Sequence, residues 1–249
     1  MSVDTANHVI TDVKAYHADK KDNQYLQDAT KRLKRRLKNQ GLLWTTLLAD
    51  AGYSSGENYA FLEKENIISY IPPHGTYKGG PEGFTFCKEE NYWICPMGKK
   101  VTFRKTKMVT NSLQNHYLTK RSDCKNCPIK KKCLGKSHEK RIAITVYVEQ
   151  YKRNNKRVKS KFGRYMKGKR QSKVEPVFGT LTQFMGLRKI NTIGIAQANK
   201  VMHMSATAYN LKKLMKFMNK TAETMTNQAI VLFHSLKKCI GLIRVNLST

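Results

Sequence analysis

Two acids in this sequence have the type and setting for metal chemistry. Asp50 closes the apolar run Leu42-Leu43-Trp44-Thr45-Thr46-Leu47-Leu48-Ala49, which reads as a buried strand ending in a turn. Glu175 opens a stretch in which Val174, Val177, Phe178, Leu181, Phe184 and Met185 recur at helical spacing. A carboxylate at a strand end and another on a helix can share divalent metal ions. The formal net charge is +30, so the natural substrate for such metals is a phosphodiester. Either acid alone also reads as an ordinary turn residue or a helix N-terminal acid favoured by the dipole.

A second set of residues has ligand spacing for a different metal. Five of the six cysteines fall between His74 and Arg141, and the core is Cys95-Pro96-Met97-Gly98 followed by Cys124-x2-Cys127-Pro128-x5-Cys133. A Cys-x2-Cys pair presents two thiolates to one tetrahedral ion, and Cys95 and Cys133 could complete a four-sulfur zinc site. Such a closed site folds a small segment and catalyses nothing. The alternatives are free buried thiols, or a set that takes His116 or His138 as a ligand. Cys87 lies outside the best spacing, and Cys239 reads as a core residue of the last helix.

The segments around the two acids carry a family resemblance. "ADAGYSS" at 49–55 and "VEPVFGTLTQFMGLRKINTIGI" with the later "ANK" and "AYNLKKL" resemble the second-Asp and Glu regions of DDE transposases of bacterial insertion sequences. The resemblance runs from about Val3 to Met218. It implies an α/β chain with an incomplete RNase H-like (retroviral-integrase-like) domain, a cysteine-rich insertion and C-terminal helices. It also implies two Mg²⁺ or Mn²⁺ ions held by three carboxylates, with Asp50 bridging both and Glu175 binding one. Such ions activate water or a 3′-hydroxyl and stabilise the leaving oxygen, so that one site cuts transposon ends and joins them to target DNA.

The first Asp of that set is missing. Val3-Asp4 resembles a segment downstream of the family's Asp-Gly-Thr-like strand. Asp4 precedes the polar Thr5-Ala6-Asn7 and the alternating run Val9 to Tyr16, which reads as a β-hairpin cut just before its turn. Asp4 is therefore expected to be a turn residue and not a metal ligand. The chain resembles a transposase shortened at its N-terminus, expected to be inactive and poorly folded or self-associating alone, because the strands flanking the missing one would leave edges unpaired.

The elements that must position these residues follow from periodicity. Asn23 to Lys38 reads as a helix with Asp22 as N-cap, an apolar stripe of Leu26, Ala29, Leu33 and Leu37, and a basic opposite face. After Asp50, Ser54 or Ser55 can cap a short helix through Glu63, followed by a strand at Ile67 to Ile71 that Pro72-Pro73 stops. The stretch from His74 to Arg141 has weak periodicity and a glycine-rich entry.

Tyr151 to Lys173 holds eleven Lys or Arg residues and no acid, with Tyr151, Phe162 and Tyr165 interleaved. Such a run repels itself unless phosphate neutralises it, and the aromatics could stack on unpaired bases. A disordered basic linker is the plainer alternative. Candidate DNA contacts are Lys152, Arg153, Lys156, Arg157, Lys161, Arg164, Lys169, Arg170 and Lys173. Relatives carry a Lys seven positions after the Glu; here that residue is Thr182, with Arg188 and Lys189 as candidate substitutes. Ala196 to Met218 reads as an amphipathic helix with Met202, Ser205, Ala206, Ala208, Tyr209, Leu214 and Met215 towards its buried side. A further helix over 221–247 would pack through Ile230, Val231, Phe233, Leu236 and Ile240.

The expected organisation is residues 1–73 as the N-terminal part of the catalytic domain, 74–148 as the cysteine-rich insertion, 149–219 as the basic segment and Glu-bearing helices, and 220–249 as a C-terminal helix. Forty-seven basic against 17 acidic residues favour a polyanionic partner. No apolar run approaches the ~20 residues needed to span a bilayer, and the N-terminus lacks signal-peptide character. The protein is therefore expected in the cytoplasm on the nucleoid, with DNA (transposon ends and target), its own copies or full-length transposase as partners, and no membrane. The competing functions are a non-catalytic DNA-binding fragment that competes with or inhibits full-length transposase, and an unrelated basic zinc-ribbon protein of the ribosome-associated kind. The two acidic motifs stand against the last, since rRNA binding does not need them.

Overall fold

The computed structural model describes residues 1–75, 79–109 and 112–246. The chain is mixed α/β and divides into two compact units, residues 1–17 with 172–249, and residues 18–171.

The first unit starts with a hairpin of β1 (Ser2–Val3) and β2 (Ile10–Asp12), antiparallel with an irregular register between Ser2 and Val3. The turn expected at Thr5-Ala6-Asn7 is present, and the strand before it has only two residues. Asp4 closes that turn, its carboxylate accepting from Ala6 N at 3.2 Å and Asn7 N at 2.7 Å, while its backbone N–H donates to the Val9 carbonyl at 2.8 Å. This is the turn role expected of it. Ile10 and Val13 bury against Val177, Leu181, Ala206 and Tyr209, which forms this unit's core.

In the second unit a short 3₁₀ turn at Asp22–Gln24 leads into α1 (Leu26–Lys38), whose N-cap is Tyr25 and not Asp22. Leu26, Thr30 and Leu33 form its buried stripe. Strand β3 (Thr46–Leu48) is much shorter than the apolar run before Asp50 suggests. Leu42 and Leu43 are 56% and 87% exposed, so the run is not a buried strand. Gly41 at φ +69° ends the preceding helix region and turns the chain before those leucines. Helix α2 (Gly56–Lys64) follows, capped by Ser55 Oγ, which accepts from Asn58 N at 3.1 Å. Then β4 (Ile68–Tyr70) pairs parallel with β3, Leu47 opposite Ser69, giving a βαβ unit.

Residues 85–145 form what weak periodicity concealed, a five-stranded antiparallel meander in sequence order. Its strands are β5 (Thr85–Cys87), β6 (Tyr92–Ile94), β7 (Lys100–Val109), β8 (Ser112–Leu118) and β9 (Arg141–Thr145). Trp93, Val101, Tyr117 and Ile142 bury on one face of it. Between β8 and β9 sit two short helices, α3 (Arg121–Lys125) and α4 (Lys130–Leu134).

The basic run is helical, not a linker. Helix α5 (Val148–Lys159) packs on α2, Tyr151 meeting Tyr59 edge to face at 4.9 Å. Ser160 breaks the path, and α6 (Lys161–Gly179) begins there, with Gly163 N donating to Ser160 Oγ at 2.9 Å. A Cβ at Gly163 would lie 2.1 Å from the Arg157 carbonyl oxygen, so the close approach of the two helices requires glycine. Helix α6 runs through Pro176 and ends in a π-helical turn, Thr180–Phe184. Helix α7 (Ile195–Asn246) is one continuous element, without the expected break near residue 220. Ala206 and Tyr209 are buried, but Leu214 and Met215 are 54% and 59% exposed, and Ala208 is exposed too. The side-chain packing of Ile230, Val231, Phe233, Leu236 and Ile240, like that of Cys239, lies outside what is described.

Candidate functional site

Asp50 stands directly after β3, exposed, as N-cap of the 3₁₀ turn Ala51–Tyr53, with Oδ1 accepting from Ala51 N at 2.7 Å. A parallel strand thus delivers this carboxylate at its C-terminal end, where a chain leaving the sheet exposes polar groups. Glu175 lies exposed on α6, immediately before Pro176. Proline cannot supply the backbone N–H that the helix would use there. Thr180 Oγ1 donates to the Pro176 carbonyl at 2.8 Å, and the ladder then widens into the π turn. π-Turns inside helices recur at functional positions. Thr182, seven residues past Glu175, directs its hydroxyl back to the Phe178 carbonyl at 2.9 Å and to that of Gly179 at 3.3 Å. Arg188 and Lys189 are exposed.

Asp50 belongs to the unit of residues 18–171 and Glu175 to the unit of residues 1–17 and 172–249. Among the described residues, no group of three His, Cys, Asp or Glu side chains is arranged to hold a metal ion. A two-metal phosphoryl-transfer site needs more donors than these two carboxylates.

The basic residues sort into two groups. Arg153 is tied to Glu63 by two hydrogen bonds, Nε to Oε1 at 3.0 Å and Nη2 to Oε2 at 2.6 Å, and Arg157 Nη2 reaches Oε1 at 3.5 Å. Arg153 foremost, by hydrogen bonding, holds the Glu63 carboxyl below its ordinary range. Lys152 pairs with Glu149 at 3.0 Å. The Glu63 contacts tie α5 to α2, whereas the Lys152–Glu149 pair lies within α5. Lys156, Lys161 and Arg164 are exposed along α5 and the start of α6, while Lys169, Arg170 and Lys173 are half-buried. Phe162 and Tyr165 project among the exposed cations, 56% and 60% exposed, with ring centroids 5.9 Å apart and planes tilted by 35°.

The four cysteines with ligand spacing come together. Cys95, Cys124, Cys127 and Cys133 all line one cavity of about 20 Å³ and carry no disulfide. His116 and His138 do not line it; Cys87 lies elsewhere, on β5.

Reading by spacing alone overlooked three asparagines. In the first unit, Asn210 and Asn199 on α7 hydrogen-bond the backbone of Ile10 and Ala15. In the second, Asn154 on α5 is fully buried, accepting from Ser69 Oγ at 3.1 Å and donating to the Ile71 carbonyl at 2.7 Å. Asn199 and Asn210 fall within the "ANK" and "AYNLKKL" segments, so a motif marked them but its physical meaning did not show.

Residues 94–215 match the family model of the transposase DDE domain. That segment, which contains Glu175 and all four clustered cysteines but not Asp50, is similar to the DDE domain of transposases. No curated protein and no solved structure matches it.

Proposed function

We propose that this chain works in DNA transposition, as a DDE-type transposase chain that binds DNA. In this reading Asp50 and Glu175 are two of the three carboxylates of an RNase H-like catalytic domain built from residues 1–73 and 149–219. The family match across residues 94–215, with Glu175 inside it on a helix that runs through Pro176, carries the reading. The basic, aromatic-bearing surface at the start of α6 supports it, because phosphate contacts hold a backbone in register with the chemistry.

The second reading is a non-catalytic DNA-binding chain that competes with a complete transposase for its DNA ends; the exposed cations and rings at the start of α6 support it, because they offer contacts to phosphate and base whether or not the two acids act. Its partners would be DNA and copies of itself or of that complete enzyme. Among the described residues, no helix is long and apolar enough to cross a membrane.

One experiment tests both readings. A labelled duplex carrying the sequence that flanks the gene for this chain is titrated with protein across a salt series, with Mg²⁺ or Mn²⁺ present. Salt-dependent binding without nicking, unchanged in Asp50→Asn and Glu175→Gln variants, is the expected result. Nicking abolished by either substitution would favour catalysis by this chain. Failure to bind any duplex at low salt would overturn both readings.

A further inference from the structure

The segment between β8 and β9 poses a stability problem. Its helices α3 and α4 have five residues each, and neither contributes a buried residue. Helices this short do not persist in water on their own propensity, since nucleation costs more than so few hydrogen bonds return. Apolar burial does not hold them either. What they share is a set of thiols: Cys124 on α3, Cys127 in the connecting turn and Cys133 on α4. The three face one cavity together with Cys95, which comes from the turn after β6.

We infer that Cys95, Cys124, Cys127 and Cys133 form a structural site for one soft divalent cation, zinc by its chemistry. Four thiolates at tetrahedral positions, about 2.3 Å from the ion, are the donor set that zinc prefers in closed sites. The cavity of about 20 Å³ suits a single monatomic ion; about 10–15 Å³ is enough for one water.

The turn at Cys95 is shaped for a thiolate. Cys95 N donates to the Lys99 carbonyl at 2.9 Å and Gly98 N donates to the Cys95 carbonyl at 2.9 Å. Gly98 takes φ +73°, a conformation that glycine adopts without strain. The turn aims Lys99 N at Cys95 Sγ, 3.3 Å away, a hydrogen bond that strengthens when the sulfur is charged. On the other side, Cys124 Sγ donates to Thr119 Oγ1 at 3.2 Å, and Lys140 N donates to the same oxygen at 2.9 Å. Zinc replaces that thiol proton. Binding releases four protons in all, and the resulting site carries a net charge of −2. Lys99, Lys130 and Lys140 line the cavity and offset that charge, together outnumbering the one carboxylate there, Asp123. Among the described residues no three ligands stand arranged around a metal, so ligation would require the four cysteine side chains to converge on the shared cavity.

The ion would pin the β8–β9 connection to the β6 turn, cross-linking the meander at its open end. Its role is to fold this segment, so it is independent of whether the chain cuts DNA.

The test uses the full chain, purified under reducing conditions. The expected result is about one zinc per chain after gel filtration. Cobalt in place of zinc should give the ligand-field and sulfur-to-metal bands of a tetrahedral tetrathiolate. With zinc bound, Cys95, Cys124, Cys127 and Cys133 should resist alkylation and become reactive on chelation, while Cys87 reacts in both states. Cys127→Ser should lose stoichiometric zinc and Cys87→Ser should keep it. Should Cys127→Ser fail to fold, the alkylation pattern and cobalt spectrum of the unaltered chain still decide. A chain that retains no zinc, gives an octahedral cobalt spectrum, or holds these cysteines as disulfides would overturn the site.

Discussion

Asn210 grips the backbone of Ile10 from both ends of its carboxamide, Oδ1 accepting the Ile10 N–H at 2.9 Å and Nδ2 donating to the Ile10 carbonyl at 2.8 Å. A carboxamide has the donor–acceptor pair of a peptide group, so this contact imitates a neighbouring strand. The pairing of Ile10 with Val3 places β1 on one side of β2, and Asn210 occupies the backbone groups that this ladder leaves over. Five residues on, Asn199 does the same for Ala15, accepting from its N–H at 2.8 Å and donating to its carbonyl at 3.4 Å. A two-stranded hairpin is marginal alone, and an edge with bare N–H and C=O groups invites aggregation. Two asparagines on one helix answer that problem locally.

Truncating Asn210 to Ala leaves both Ile10 groups without their partner. The expected loss is about 1–3 kcal/mol of stability in the unit containing the hairpin. Urea unfolding of Asn210→Ala beside Asn210→Leu checks it, the second variant keeping volume while removing the same bonds. Equal stability of all three proteins would show that water replaces the carboxamide at no cost.

The same device recurs in the other unit. Asn154 is fully buried between β4 and α5, bonded to Ser69 and to the Ile71 carbonyl. Asn154→Ala should cost about 1–3 kcal/mol and accelerate amide exchange along β4, because the orphaned carbonyl is sealed from solvent. The companion change Ser69→Ala should cost less, since only one hydroxyl bond is lost. A reversed order would mean that the serine, not the asparagine, secures the strand.

These asparagines also mark the boundary of what the sequence discloses. Ser55 as a cap and Asp4 as a turn residue were legible, because each depends on neighbours a few residues away. Asn154 acts across 83 residues to Ile71, and no local pattern encodes that. The five-stranded meander was hidden for another reason. Strands of three residues such as β5 and β6 are too short to show alternation, and β7 is exposed along most of its length. The apolar run before Asp50 misled in the opposite sense, since Leu42 and Leu43 resemble core residues and stand in solvent. Glu175 was placed correctly on a helix, but as the opening of its stretch, where α6 has already begun at Lys161.

Glu63 provides a prediction with a pH sign. Arg153 holds its carboxyl below the ordinary value of 4.5, chiefly through hydrogen bonds, with the charges of Arg153 and Arg157 adding to the effect. The folded chain therefore keeps this charge to lower pH than the unfolded chain. The stabilisation is complete above 4.5 and disappears as pH falls through the lower folded value. Glu63→Gln should cost about 1 kcal/mol at neutral pH, typical of a solvent-screened pair. It should also flatten the acid limb of the stability profile. A variant whose acid limb keeps its slope would assign that limb to other carboxylates.

The last prediction separates DNA-contacting cations from structural ones. Arg153 is committed to Glu63, whereas Lys161 and Arg164 are exposed beside Phe162 and Tyr165. Lys161→Ala and Arg164→Ala should each lower the slope of log affinity against log salt by about one on duplex DNA, with little change in stability. Arg153→Ala should lower stability and leave that slope nearly unchanged. The exposed rings should discriminate between DNA forms. Removing Phe162 and Tyr165 together should weaken binding of a single-stranded oligonucleotide by about 1–3 kcal/mol per stacked base, and binding of duplex far less. Fluorescence anisotropy on both DNA forms at several salt concentrations reads all of these at once. Equal losses on both forms would mean that the rings pack against sugar and phosphate, leaving the cations alone to hold the strand.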